Sequence, residues 1–196
     1  NMVSSFDYKL GLNSDIEKQF MLLEDKPLLY YSLNTFQDSI VDNIILVVSE
    51  NHISYCQEQI VDKYNFTKVD KIVAGGKERY NSVYEGLTST KDTDYVVIHD
   101  GARPFVTKDM IEKCIEVLES YDGCTVGMPV KDTIKVVNEN TEGIDTPNRE
   151  SLWQIQTPQT FKKDKLLEAY DKMFSDNYGN ITDDTMIMER YNTSKI

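Results

Sequence analysis

The chain has 196 residues, with 40% apolar and 28% charged content and a formal net charge of −12. That length suits one α/β domain across residues 1–196, large enough to bury a core. The acidic balance argues against a nucleic-acid partner, since phosphate backbones require a basic surface. No apolar run reaches the ~20 residues needed to cross a bilayer. No basic-then-apolar leader is visible either, so a cytoplasmic address is expected. Cys56, Cys114 and Cys124 are too few and too scattered for a disulfide framework or a zinc site, and read as reduced thiols.

In chain order, the aliphatic run at 44–48 reads as a strand buried on both faces. Residues 52–64 carry the spaced apolar pattern of an amphipathic helix. A second strand at 69–73 is broken by Gly75-Gly76, and helical spacing follows from Arg79 to Leu87. A third buried strand at 95–98 ends at His99-Asp100. Thr107 is placed to cap a helix running to about Leu118, with Ile111, Ile115 and Leu118 on one face. A fourth strand is expected at 125–130.

This strand-helix alternation predicts a mainly parallel, doubly wound sheet flanked by helices. Ligands of such sheets sit at the carboxyl ends of strands, where Gly75-Gly76 and His99-Asp100 both fall. Residues 131–152 break the pattern. Alternating polar and apolar residues on either side of a turn-rich centre predict a projecting β-arm. A two-stranded arm is barely stable alone in water, so a homodimer through the arm is expected. Helices are expected at 165–173 and 183–191, the second capped by Thr182 or Asp183.

Small anionic ligands remain compatible with the charge, because a cleft needs only a few local cations. Lys18, Lys77, Arg79, Arg103, Lys131, Lys135 and Arg149 lie in the segments singled out here. A dinucleotide site is disfavoured, since no G-x-G-x-x-G follows an early strand. No serine-histidine-aspartate set is apparent. His99 and His52 read as packing or hydrogen-bonding residues.

Seven segments together resemble the 2-C-methyl-D-erythritol 4-phosphate cytidylyltransferase family, in that family's order. They are Glu17-Lys18-Gln19-Phe20; Gly75-Gly76 through Arg79, Ser82 and Gly86-Leu87; His99-Asp100-Gly101-Ala102-Arg103-Pro104; Val130 to Lys135; Pro147-Asn148-Arg149 with Leu152-Trp153; Gln156 to Phe161; and Thr182-Asp183-Asp184. The related ribitol 5-phosphate cytidylyltransferases share the histidine-aspartate and glutamine-threonine-proline-glutamine segments. Residues 131–135 and the Leu152-Trp153 pair are more similar to the methylerythritol branch.

The resemblance implies transfer of CMP from CTP to a sugar-alcohol phosphate, with Mg²⁺ carried mainly by the CTP phosphates. It implies that Lys18 contacts the triphosphate and that Gly75, Gly76 and Ser82 receive cytosine. Asp100 and Gly101 would lie beside the ribose and phosphates, and Arg103 near the incoming sugar phosphate. Thr133 and Arg149 would hold that sugar phosphate, the arginine reaching across from a second subunit. Thr182-Asp183-Asp184 is explained by a helix cap and is not assigned to the site, and no protein metal ligand is assigned.

Two segments depart from the family's pattern. Residues 2–13 lack its glycine-rich, arginine-containing phosphate loop, with Lys9-Leu10-Gly11 the nearest remnant. At the other end, Lys195 lacks the neighbours of the family's substrate-binding lysine and is given no role. The intact middle leads us to expect a shortened form of a normal enzyme. The competing expectation is a catalytically impaired nucleotide-binding dimer.

Overall fold

The computed structural model describes residues 17–176, 179–192 and 196. Lys9-Leu10-Gly11 and Lys195 lie outside them. A short 3₁₀ turn at Lys18–Phe20 leads into a small antiparallel pair, β1 (Leu22–Leu23) and β2 (Lys26–Pro27). Helix α1 (Leu28–Gln37) follows, burying Leu29, Ser32, Leu33 and Phe36 at the three- and four-residue spacing of one helical face. Its polar loop flanks do not announce it, and the sequence reading did not include it.

Strand β3 (Ile44–Val48) runs parallel to β4 (Val69–Ala74), pairing Leu46 with Ile72 and Val48 with Ala74. Between them, α2 (Ile53–Cys56) continues as a wider helical turn through Gln57–Asp62, placing Cys56, Ile60 and Val61 on the buried side. Leu29, Leu33, Leu46, Val48, Ile60 and Phe66 form one core cluster here. The expected helix and both strands are found within a residue or two of their predicted limits.

After α3 (Arg79–Ser89) comes β5 (Tyr95–Ile98), then α4 (Lys108–Val117), whose cap Thr107 accepts a hydrogen bond from the Met110 amide as expected. Ile111 and Leu118 are fully buried, while Ile115 packs at the edge of a small core cluster of Phe36, Val106 and Ile111. Strand β6 (Gly123–Pro129) is followed by β7 (Val136–Val137) and β8 (Gly143–Asp145), an exposed antiparallel pair within the expected arm.

The largest departure from expectation is β9 (Trp153–Lys162). It lies antiparallel between β5 and β6, giving the order β5-β9-β6. Among the described pairings only β3 with β4 is parallel and the other four are antiparallel, so the mainly parallel doubly wound arrangement is corrected. The cause is visible in the composition of β9. Its buried half carries Thr157, Pro158, Gln159 and Thr160, a polar, proline-containing run that does not read as a central strand. Proline is accommodated because the β6 register jumps from Thr125–Gln159 to Gly127–Ile155, and the β5 ladder ends at Ile98–Gln159. No ladder bond is asked of Pro158.

Helices α5 (Lys163–Phe174) and α6 (Asp184–Tyr191) close the far side of this sheet. Phe161, Leu166, Ala169, Tyr170, Met173, Ile187 and Met188 pack there with essentially no exposure. Cys56 and Cys114 are buried and all three cysteines are free. No helix among the described residues is long and apolar enough to cross a membrane.

Candidate active site

A cleft of about 1030 Å³ opens between β3 and β5, and every residue of both strands lines it. Ser82, Arg79, Asp100 and Gly101 lie on its walls. Its lining runs the whole length of both strands, from residues 40–43 and 90–94 at one end to Val48, Asp100 and Gly101 at the other, and Gly75, Gly76 and Arg103 are not among the lining residues.

Gly75 and Gly76 lead to the first turn of α3 under tight steric control. The Gly75 amide donates to the Val48 carbonyl at 2.7 Å, tying the end of β4 to the end of β3. A Cβ on Gly75 would stand 2.6 Å from Ser82 Oγ, and one on Gly76 would stand 2.3 Å from Asn81 Cβ. Only glycine permits this approach. Ser82 Oγ accepts from the Gly76 amide at 3.2 Å and donates to the Glu78 carbonyl at 3.3 Å. Helix α3 starts with a reciprocal cap in which Glu78 and Asn81 each bond the other's backbone amide. Gly75, Gly76 and Ser82 therefore form one rigid corner. Gly101 is also constrained, since a Cβ there would lie 2.9 Å from Leu29 Cδ1.

Asp100 ends β5 with two arginines on its carboxylate. Arg103 Nε donates to Oδ2 at 2.8 Å, and Arg79 Nε approaches Oδ1 at 3.4 Å. Arg103 Nη1 also donates to Gln156 Oε1 on β9. Arg79 reaches further, placing Nη1 2.7 Å from Oδ2 of Asp184, whose side chain has no exposure. Tyr170 donates to the other oxygen of Asp184 at 2.5 Å. Burial pushes the Asp184 carboxyl up, with the Arg79 charge and the Tyr170 hydroxyl pulling against it. Burial works to lower Arg79, but the Asp184 and Asp100 carboxylates outweigh it and leave the guanidinium more firmly charged than usual.

His99 is held in one tautomer by its partners. Nε2 faces the Arg103 carbonyl at 3.0 Å and must donate to it, because a carbonyl only accepts. Nδ1 then accepts from Thr157 Oγ1 at 3.0 Å, and that oxygen accepts from the Asp100 amide at 3.2 Å. Burial lowers its pKa below the ordinary 6.5. The expectation that His99 supports structure by hydrogen bonding agrees with this geometry.

Other predicted residues lie apart from this cluster. Lys18 is exposed on its 3₁₀ turn, while its neighbour Gln19 lines the cleft. Thr133 is exposed in the segment after β6. Arg149 Nη1 donates to the Lys131 carbonyl at 2.9 Å, so the two sides of the arm do meet. Neither Thr133 nor Arg149 lines the cleft. The arginines nearest Asp100 are already charge-compensated, which leaves Lys18 and Lys77 as the exposed cations in the segments flanking it.

Sequence reasoning missed the part played by Arg79 and Asp184. Asp183 caps α6 as expected, its carboxylate accepting from the Met186 amide at 3.0 Å. The next residue points inward instead. An Asp-Asp pair at a helix start was the available signal, since one carboxylate suffices for the cap.

Comparison with known proteins identifies the family. A family model described as 2-C-methyl-D-erythritol 4-phosphate cytidylyltransferase matches residues 10–195. A protein of that name from Lachnospira eligens is 46% identical over 187 residues, covering 94% of this chain and 82% of the relative. One from Clostridium botulinum is 50% identical over 175 residues, covering 89% and 77%. Among solved structures, 4-diphosphocytidyl-2C-methyl-D-erythritol synthase from Anaerococcus prevotii superposes with a TM-score of 0.81 at 27% identity, covering 92% of this chain and 78% of its own. The Francisella tularensis 2-C-methyl-D-erythritol 4-phosphate cytidylyltransferase gives 0.76 at 30% identity, covering 91% and 81%.

The protein is accordingly a nucleotidyltransferase of mixed α/β fold, CTP-dependent in its family. It belongs to the 2-C-methyl-D-erythritol 4-phosphate cytidylyltransferase family.

Proposed function

We propose that this chain transfers CMP from CTP to 2-C-methyl-D-erythritol 4-phosphate, forming 4-diphosphocytidyl-2-C-methylerythritol and releasing pyrophosphate, as a step in isoprenoid precursor synthesis. The observation that carries this reading is family membership along residues 10–195, joined to a cleft lined by Ser82, Asp100 and Gly101, with the glycine corner packed against Ser82.

In this reading a phosphate oxygen of the sugar alcohol attacks the α-phosphorus of CTP. The new oxygen–phosphorus bond forms as the bridge to the β-phosphate breaks, and pyrophosphate leaves. A phosphate monoester is mostly dianionic at neutral pH, so no general base is required. Catalysis then consists of positioning and charge stabilisation. The Gly75-Gly76 corner and Ser82 hold cytosine in this reading, the corner being fixed by the contacts of the two glycines with Ser82 and Asn81. Asp100 and Gly101 orient the ribose and phosphates. Lys18 follows the charge that develops on the transferring phosphoryl group, and Arg103 faces the incoming substrate.

Thr133 and Arg149 hold the sugar phosphate from the arm, a partner subunit supplying the arginine. Support for a homodimer comes from the exposed apolar side chains Ile134, Val136, Val137 and Ile144 of the arm, with Trp153 at its base. The enzyme acts in the cytoplasm in this reading.

Among the described residues no three metal-binding side chains converge, and Asp100 has both oxygens engaged by arginines. A Mg²⁺ in this reading is carried by the triphosphate, with no protein carboxylate assigned to it. Bound there, the ion would neutralise phosphate charge.

The test is incubation with CTP, Mg²⁺ and either methylerythritol 4-phosphate or ribitol 5-phosphate, followed by mass analysis. A cytidine diphosphate product from the first alone is expected. Product from the ribitol compound alone, or CTP binding with no turnover, would overturn the assignment.

A further inference from the structure

The cleft described above is connected to the far side of the molecule by one continuous polar chain. Tyr170 on α5 donates to Asp184 on α6, Asp184 faces Arg79 on α3, Arg79 faces Asp100 at the end of β5, and Asp100 holds Arg103. Charges alternate along it: negative at Asp184, positive at Arg79, negative at Asp100, positive at Arg103. Asp184 is also fixed through its backbone, its amide donating to Gln159 Oε1 at 3.1 Å. Gln159 Nε2 in turn donates to Asp183 Oδ2 at 3.0 Å. The carboxylate therefore has little freedom to follow a moving partner.

We propose that Asp184 is a positioning residue for nucleotidyl transfer: by clamping Arg79 from beneath, it fixes the orientation of Asp100, which lines the cleft, and of the Arg103 paired with it. The inference rests on the cytidylyltransferase reading and deepens it.

Three features support this. An unpaired carboxylate with no exposure is strongly unfavourable, so Asp184 requires the Arg79 charge. Asp184 Oδ2 makes no well-directed hydrogen bond, so its compensation is the guanidinium charge at 2.7 Å. Arg79 is also the only described residue that touches both Asp184 and Asp100 through ion pairs. With Asp184 neutralised, Arg79 is free to move onto the half-buried Asp100 and compete with Arg103 for its oxygens. A helix cap alone explains none of this, because Asp183 performs that task.

The experiment compares the intact wild-type chain with Asp184→Asn, Arg79→Lys, their double variant and Tyr170→Phe. Pyrophosphate release from CTP and methylerythritol phosphate is measured with each variant's thermal midpoint. Asp184→Asn is expected to lower kcat/KM about 10- to 100-fold. Arg79→Lys, which keeps the charge but loses the fork that spans two carboxylates, is expected to do the same. The double variant should lose little more than either single change, since both break one linkage. Tyr170→Phe removes a hydrogen bond to the same carboxylate, and should lower the midpoint while leaving kcat/KM within about twofold of wild type.

Full activity in Asp184→Asn or Arg79→Lys overturns the proposal. So do additive losses in the double variant, or a Tyr170→Phe loss of turnover matching that of Asp184→Asn. If Asp184→Asn does not fold, Arg79→Lys and Tyr170→Phe decide the question. An inactive wild type would instead mark failure of the cytidylyltransferase reading itself.

Discussion

Lys18 and His99 differ sharply in setting, one exposed beside the cleft and the other largely buried on its wall. Lys18 stands exposed beside a cleft-lining residue, with its ammonium available to phosphates. If it stabilises the transition state, Lys18→Ala should reduce kcat about 100-fold, the scale of one lost stabilising donor, with a smaller change in CTP affinity. Single-turnover kinetics and CTP titration separate the two, and an unchanged rate would remove Lys18 from the catalytic set. His99 works as a neutral strut. Its folded pKa lies below 6.5 because burial disfavours the imidazolium, so on acidification the unfolded chain takes up a proton that the fold resists. Stability should therefore fall as pH drops through 6.5 towards the depressed value. His99→Gln should flatten that slope in denaturant titrations between about pH 8 and pH 5. A slope identical to wild type would show that other groups cause it.

At the scale of elements, the arm and the cleft are separate pieces of machinery. Arg149 sits on a 3₁₀ turn, with its guanidinium drawn onto the Lys131 carbonyl across the arm. This keeps Arg149 at one end of the arm, apart from Ser82 in the cleft. Arg149→Ala should accordingly lower kcat/KM for the sugar phosphate about 10- to 100-fold, the scale of a lost charged contact, and leave CTP binding near wild type. Calorimetry with CTP alone, paired with steady-state kinetics, checks this. Equal weakening of both would contradict the division of labour. Strand β9 is the other decisive element. It carries Gln156 to Arg103, Thr157 to His99 and Gln159 to Asp184, so the central strand is also the scaffold of the site.

For the molecule as a whole, the question is what covers the arm. Val137 and Ile144 are 51% and 64% exposed on a two-stranded ribbon with almost no core of its own. Such a ribbon gains stability only by packing on another surface. If a second copy supplies it, Val137→Asp with Ile144→Asp should shift sedimentation from dimer to monomer. Turnover should then fall while CTP binding is retained, because the partner's arginine is lost with the interface. A wild-type monomer in sedimentation would end the dimer proposal.

The local elements could be read from residue patterns because each is governed by neighbours in the chain. The aliphatic run of β3, the Thr107 cap and the glycine corner before α3 need only their own sequence to be recognised. The motif positions of Gly75, Ser82, Asp100 and Arg103 were legible for the same reason. Sheet order was not. The polar face of β9 becomes a buried centre only because α5, α6, β5 and β6 surround it, with Thr157 bonded to His99 and Gln159 to Asp183 and Asp184. Asp184 likewise reads as a surface cap until Arg79, 105 residues earlier, arrives beside it. Burial and long-range charge pairing are properties of the folded chain. Sequence determined which residues can do the chemistry, and tertiary structure decided which of them meet.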